Sequence, residues 1–494
     1  MDPILELIPG LRLRRDCAVA LHRQIYECVR DAVLRGALFS GTTLPSSREL
    51  ASHLSVGRNT VIAAYDQLHA EGFLDTRIGA GTRIAVLGEQ ALDGSAHRPA
   101  RPARTSLQAL SRRGRRLASQ PRANPDSHGP AFVTGLPALD EFPTAAWSRI
   151  LARHQREAKP ESLGYGQPAG HRDLRKALAN YLRTSRGVVC DAEQVIVLNG
   201  AQGALDLSAR MLLDADDAVW MEEPGYLGAR GALRAAGARL TPVPLHAGGF
   251  DVQLAMRLEP NARLAYVTPS CQFPLGVTMT LDRRLQLIDW AARKGAWIIE
   301  DDYDSEYRYS GKPLSAMQGL DGAGRVVYLG TFSKTMFPAL RVGYLVVPDG
   351  LQVAFASAIR HSGHTVSLSL QSALAEFLEQ GHYSAHLRRM RALYARRQAR
   401  FVALAQQHLG SAVTLDVPSG GMQMPAWLVC GSDDRRVAES AERRGLSVSA
   451  MANYYLASPA RPGLYLGYAG VADADVEPAL ITLGEVLNET TATR

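Results

Sequence analysis

No uninterrupted apolar stretch in the 494 residues is long enough to cross a bilayer, which argues against a membrane protein. A secretory leader is not expected either. Between Met1 and Asp16 the arginines follow the apolar stretch instead of preceding it. Cysteine is scarce: Cys17, Cys28, Cys190, Cys271 and Cys430 are odd in number and scattered. They suggest neither a disulfide framework nor a metal-ligand cluster, so a reducing cytoplasm and no metal are expected. One-sided charge is also lacking over most of the chain. Residues 1–87 carry ten arginines against nine acids, whereas residues 88–130 carry eight arginines against three. Most of the net +7 therefore sits in one internal segment, 88–130, and the rest of the chain is nearly balanced. That balance permits nucleic-acid binding without arguing for it.

What is present describes an ordinary globular protein: 46% hydrophobic and 21% charged residues. The length is too great for one core, so two domains are expected. The boundaries read as 11–86 for a small reader, 87–130 for a linker and 131–490 for a large domain.

Three helical patterns open the chain. Leu21, Ile25, Val29, Val33 and Leu34 form an apolar stripe at helical spacing. Pro45-Ser46-Ser47-Arg48-Glu49 starts a second helix, with Glu49 three residues after Ser46 as a capping box requires. A third runs from Arg58 to Glu71, with Gly57 expected in the turn before it. Two short strands around a glycine turn, Thr76 to Ile84, then make a wing. A small helical domain of another kind would explain the apolar residues alone. The polar residues favour DNA: Ser47 and Arg48 head the second helix, and Arg58, Asn59 and Thr60 head the third, whose first turn would meet base edges. Arg77, Gly81 and Arg83 lie in the wing, where arginines neutralise phosphates. The segment from Leu44 to Thr82 resembles the GntR-type winged helix, with Gly57 where a serine is common.

Residues 88–130 show no usable periodicity and are rich in Arg, Ala, Pro and Ser, the composition of a flexible tether. A short helix is expected within Leu107–Leu117, and the arginines add phosphate attraction.

Beyond Ala131, short apolar runs alternate with helical stretches. Val195–Leu198, Ala218–Met221, Leu264–Val267, Trp297–Ile299 and Val326–Leu329 read as buried strands, separated by helices such as 171–185, 202–213 and 281–294. The fold class is α/β with a mostly parallel sheet, and ligands are expected beyond the strand carboxyl ends. Chemistry-bearing residues cluster there. Lys334, in Thr331-Phe332-Ser333-Lys334, is flanked by residues that would desolvate an amine and make it nucleophilic. Arg341, Thr331 and Ser333 suit a phosphate. Glu300-Asp301-Asp302-Tyr303 would cap a helix, bind a metal, or protonate a pyridine ring nitrogen from Asp301 with Tyr303 beside the phenolic oxygen. Ala201 and Gln202 open a helix whose N-terminus favours phosphate. Tyr226 offers a ring for stacking.

This segment resembles a fold-type I, class I/II aminotransferase domain, further matched by Tyr165 to Gly170 and by Thr268 to Gly276. The resemblance implies pyridoxal 5'-phosphate held as an internal aldimine on Lys334. Asp301 would pair with the ring nitrogen and Tyr303 with the phenolic oxygen, while Tyr226 stacks. Ala201, Gln202, Thr331, Ser333 and Arg341 would contact the phosphate, and Tyr165 would reach the neighbouring subunit's phosphate. The order of winged helix, linker and aminotransferase-like domain resembles the MocR-type (GabR-like) bacterial regulators. That implies a head-to-tail homodimer, operator DNA, a small amine or amino-acid-like effector (or the cofactor itself), and RNA polymerase as a further partner. A working aminotransferase with a DNA-binding appendage is the alternative. Departures concern the effector. Tyr465 stands where a carboxylate-binding arginine is usual, and Arg461 is the nearby candidate to replace it. Gly228 stands where a carboxylate-sensing member is expected to carry arginine. Cys271 and Gln423 each stand where histidine is frequent.

Overall fold

The computed structural model describes residues 8, 11–77, 81–86, 109–119, 131–310, 314–429, 432–457 and 461–492. The chain divides into two compact units, Met1–Ala109 and Leu110–Arg494.

In the first unit, helices α1 (Leu21–Leu34), α2 (Ser47–His53) and α3 (Arg58–Ala70) are followed by an antiparallel hairpin, β1 (Leu74–Arg77) and β2 (Gly81–Ile84). The stripe on α1 buries Ile25, Val29 and Val33 against Leu50, Val61 and Leu68. Leu34, at its end, is exposed. The Ser46 capping box forms: Glu49 N–H donates to Ser46 Oγ at 3.2 Å, and Ser46 N–H to Glu49 Oε2 at 2.9 Å. Gly57 caps α3 in ordinary extended backbone. The left-handed residue of the turn is Ser55, at φ 51°. Residues 78–80, where the wing's turn was expected, lie outside the described residues.

Most of the expected linker also lies outside them. One piece, α4 (Arg112–Ala118), is a helix capped by Ser111 and belongs to the second unit. It starts later than the sequence suggested, because Ser111 Oγ accepts the Gly114 N–H and sets the first turn there.

The second unit is built on a seven-stranded sheet in the order β3-β9-β8-β7-β6-β4-β5: β3 (Val195–Leu198), β4 (Ala218–Glu223), β5 (Arg239–Pro244), β6 (Leu264–Val267), β7 (Trp297–Asp302), β8 (Val326–Thr331) and β9 (Gly343–Val346). Only β9 among these runs antiparallel to its neighbours. Alternate residues enter layers on opposite faces: Val219, Tyr266 and Ile299 one side, Trp220, Ala265 and Ile298 the other. Both faces are thus buried, and the strands read as continuous apolar runs. Helix α5 (Arg172–Arg186) precedes β3, and α6 (Ala201–Leu212), α7 (Leu227–Ala236) and α8 (Leu281–Lys294) lie between strands in the chain; α4 contacts α7. A second, four-stranded antiparallel sheet follows, in the order β10-β11-β13-β12: β10 (Val413–Leu415), β11 (Gln423–Leu428), β12 (Ser449–Ala450) and β13 (Gly463–Gly467).

One expectation needs correction. Glu300, Asp301 and Asp302 do not follow β7; they are its last three residues. Each buried carboxylate has donors to receive it. Glu300 accepts the Met317 and Gln318 N–H groups at 2.7 Å, and Asp302 accepts Arg186 Nε at 2.8 Å and the Tyr328 hydroxyl at 2.6 Å. Buried acids are tolerated in a strand when so compensated.

Candidate functional site

The parallel strands end at one edge, and the residues just beyond β3, β4, β6, β7 and β8 surround a cavity of about 290 Å³. Ala201 and Gln202 reach it from the start of α6, and Tyr226 from the cap of α7. Asp301 and Tyr303 line it from the end of β7. Thr331, Ser333, Lys334 and Arg341 line it from the loop after β8. The wall near the N-terminal end of the unit comes from Val133 to Leu136, and Gln423 closes it from β11.

Lys334 Nζ donates a 2.8 Å hydrogen bond to the Gly135 carbonyl. Burial lowers the pKa of this amine, and the charges of Asp304 and then Asp301 oppose the shift. Asp301 is 4% exposed. Its Oδ2 accepts the Tyr266 hydroxyl at 2.7 Å, while Oδ1 is buried with no partner. Burial pushes this carboxyl up to about 7; the Tyr266 hydrogen bond and Lys334 act against that, and Asp302 with it. The Tyr303 hydroxyl points to Cys271 Sγ at 3.7 Å, and burial raises its pKa. Tyr226 meets Phe273 edge-on at 5.4 Å between centroids.

Around Arg341 the backbone is tight. Arg341 adopts φ 52°, and a Cβ on Gly343 would come within 2.9 Å of Ala201 N. Glycine here lets the chain pass beside the N-terminus of the twelve-residue α6. Thr331 Oγ1 accepts the Ser333 N–H at 3.2 Å. A helix start, two hydroxyls and a guanidinium beside one cavity suit a phosphate. Gln202 Nε2 is held by the Gly228 carbonyl at 3.0 Å, and a Cβ at Gly228 would collide with the Tyr226 ring at 2.5 Å. No side chain fits at Gly228 in this arrangement.

Nine of the ten residues expected to hold the cofactor line one cavity. Tyr165 does not; its side chain is fully exposed. The effector candidates fare differently. Arg461 is exposed and stacks over Trp427 at 5.3 Å, away from the cavity lining. Tyr465 is buried one ring back, edge-on to Phe273 at 5.4 Å and to Tyr454 at 5.6 Å. Neither lines the cavity: Tyr465 is held in the aromatic cluster on that face of the small sheet, and Arg461 lies over Trp427 at the surface. Sequence reasoning missed Gly135 and Tyr266. Gly135 lies in an aperiodic stretch and left no signal. Tyr266 left one: a hydroxyl in an otherwise aliphatic strand.

On the first unit, Arg48, Arg58, Asn59, Gly81 and Arg83 are exposed, and Ser47 and Thr60 are partly so. Arg58 Nε donates to Ser47 Oγ at 3.3 Å, tying the starts of α2 and α3 together. Arg77 ends β1; its side chain lies outside the described residues. The surface combines cations with an amide at a helix start, the chemistry that meets phosphates and base edges.

The chain was compared with known proteins. The profile of the aminotransferase class I and II family matches residues 138–428, and that of the bacterial regulatory proteins of the gntR family matches residues 21–84. The chain is 47% identical over 461 residues to the "Probable rhizopine catabolism regulatory protein MocR" of Rhizobium meliloti, covering 93% of this chain and 92% of that one. It is 32% identical to the HTH-type pyridoxine biosynthesis transcriptional regulator PdxR of Corynebacterium glutamicum, with 92% of each covered. Among solved structures it is similar to LysN, the α-aminoadipate aminotransferase of Thermus thermophilus, complexed with N-(5'-phosphopyridoxyl)-L-leucine. The TM-score is 0.69 and the identity 25%, over 78% of this chain and 96% of that one.

Proposed function

This chain belongs to the MocR-type transcriptional regulators, a GntR winged helix joined to an aminotransferase class I and II domain, and from that premise we propose that it holds pyridoxal phosphate at Lys334 and responds to a small amine. The single observation that carries the reading is Asp301. A buried carboxylate with one oxygen anchored by Tyr266 and the other unpartnered, facing a cavity shared with a desolvated lysine, lacks one donor. A protonated pyridine nitrogen supplies that donor.

When bound, pyridoxal phosphate supplies an aldehyde carbon for amines and a ring that draws electron density from them. The chain's own residues do the rest. Lys334 offers the amine that burial keeps nucleophilic. Asp301 keeps a proton on the ring nitrogen, Tyr303 donates to the phenolic oxygen and Tyr226 covers the ring. The start of α6 at Ala201 and Gln202, with Thr331, Ser333 and Arg341, holds the phosphate. The exposed Tyr165 serves the neighbouring subunit of a head-to-tail homodimer.

The winged helix, residues 11–86, grips operator DNA through Ser47, Arg48, Arg58, Asn59, Thr60, Arg77, Gly81 and Arg83. Residues 87–130 link it to the sensing domain, 131–490. Lys334 would yield its place to an effector amine, whose differential fit to two arrangements of the chain would shift DNA binding or polymerase contact. The protein works in the cytoplasm, and turnover is not required of it. Tyr465, packed among aromatic rings, weighs against an efficient amino-acid transaminase, for which a carboxylate-binding cation would be needed.

Borohydride reduction after loading with pyridoxal phosphate, followed by peptide mass mapping, tests the reading. A cofactor adduct on Lys334, absent from Lys334→Ala, is the expected result. An unmodified Lys334 peptide at saturating cofactor would refute it.

A further inference from the structure

The effector end of the cavity carries a chemical preference. Among the described lining residues the cations are Lys334 and Arg341, and the reading above commits the first to the aldehyde and the second to the phosphate. A third cation is absent from the described lining. Position 228 is a glycine whose Cβ would press on the Tyr226 ring as it lies here, and position 465 is a tyrosine packed against Phe273 and Tyr454. Two other buried or half-buried guanidiniums, Arg186 and Arg308, line a separate cavity of about 20 Å³, and Arg186 is bound to Asp302 at 2.8 Å.

What faces the reactive amine instead is an acceptor. Gln423 is 4% exposed, lines the cavity, and its Oε1 has no partner. A Cβ placed on Gly135 would lie 2.2 Å from Lys334 Nζ and 3.7 Å from Gln423 Oε1, so an amine held at Lys334 sits beside that amide. In the pairing of β11 with β13, Gln423 is opposite Gly467 and Pro425 opposite Tyr465, which puts Gln423 and Tyr465 on one face of the small sheet. Asp304, 2% exposed with Oδ1 unpartnered and Oδ2 against Cys271 Sγ at 4.0 Å, lines the smaller cavity beside Arg186 and Arg308. A carboxylate brought to Gln423 meets a neutral amide. The amide is neutral in either orientation and offers no counter-charge. An unpaired carboxylate in so enclosed a site is strongly disfavoured.

We propose that the effector is a primary amine without a carboxylate, carrying a hydroxyl or second amine that donates to Gln423. The inference rests on pyridoxal phosphate being held at Lys334, and its test separates the two. Full-length protein loaded with pyridoxal phosphate is titrated with alaninol, alanine and isopropylamine, which share one branched amine carbon and differ in a single substituent. Binding is followed by the absorbance of the bound cofactor and by the shift in Tm. Alaninol is expected to bind about tenfold more tightly than isopropylamine, the worth of one good hydrogen bond in an enclosed site, and alanine most weakly. In Gln423→Leu the advantage of alaninol over isopropylamine is expected to vanish while cofactor loading is unchanged. Gln423→Arg is expected to move alanine ahead of isopropylamine.

Alanine binding most tightly to the loaded wild-type protein would overturn the inference, as would equal affinities for alaninol and isopropylamine. Either result leaves the cofactor reading standing. Failure of the wild-type protein to load the cofactor at all would remove that reading and this inference together. Because the wild-type ranking alone decides the effector class, a misfolded Gln423 variant does not protect the proposal.

Discussion

Lys334 Nζ and the Gly135 carbonyl are joined by a 2.8 Å hydrogen bond across 199 residues of sequence. Gly135 sits at φ 70°, and a Cβ there would lie 2.2 Å from Nζ. The Lys334 amine is therefore held by backbone in a conformation that favours glycine at that point. Left-handed backbone costs other residues about 1–2 kcal/mol, and the clash adds to it. Gly135→Ala should lower the Tm of the cofactor-free protein and, by displacing Lys334 Nζ, weaken pyridoxal phosphate binding. Absorbance titration reads this directly, and an unchanged affinity would remove Gly135 from the site.

Asp301 gives a pH dependence. Its folded pKa is raised, by burial first, to about 7, whereas an unfolded aspartate titrates near 3.9. The folded state then binds the proton more tightly. The group's contribution to stability is full below the unfolded value and is lost as pH rises through the folded one. Glu222, Glu300 and Glu306, each raised to about 7 by burial, act with the same sign. The Tm of cofactor-free protein should fall between about pH 5 and pH 8, and Asp301→Asn should flatten part of that slope. A Tm that rises over this range would contradict the burial argument.

Two kinds of contact are expected on DNA. Arg58→Ala or Asn59→Ala should relax sequence preference, at about 1–3 kcal/mol for a lost bidentate base contact. Arg48→Ala and Arg83→Ala should weaken binding to all sequences alike and reduce the salt slope by about 1 each. Fluorescence anisotropy at several salt concentrations, on operator and scrambled duplexes, distinguishes them. Arg58 carries a second role, because its Nε also bonds Ser47 Oγ. Ser47→Ala should therefore reproduce part of the Arg58→Ala defect by loosening that side chain.

The cap on α2 is testable apart from function. Ser46→Ala removes the acceptor for Glu49 N–H while keeping the backbone N–H that donates to Glu49 Oε2. A loss of about 1 kcal/mol in local stability is expected. Hydrogen exchange in the first turn of α2 should accelerate accordingly, with the large domain's amides unaffected.

The local signals were legible because they are local. The Ser46–Glu49 box needs only its three-residue spacing, and β3, β4, β6, β7 and β8 announced themselves as apolar runs buried on both faces, whereas the partly exposed edge strand β5 (Arg239–Pro244) gave no such run. Lys334, Asp301 and Tyr226 were readable as candidates because each follows or ends such a run, and parallel strands deliver their ends to one edge. Gly57 lies in the turn before α3, where the sequence placed it; which residue of that turn takes left-handed backbone was not legible, because the hydrogen bonds of Leu54 and Val56 back to α2 put the positive φ on Ser55.

Sequence by itself determined the two units, the order of the elements and the residue types that bring chemistry to the strand ends. Tertiary structure decided what those residues meet. Gly135 reaches Lys334, and Gln423 reaches the same cavity, only because the β11–β13 sheet and the 133–136 segment fold back onto the edge of the large sheet. It also decided that Arg461 stacks on Trp427 and Tyr465 packs behind Phe273 instead of lining the cavity. Periodicity reports which face of an element is buried. It carries no information about which distant segment will supply the atoms on the other side, since that is set by how whole layers pack.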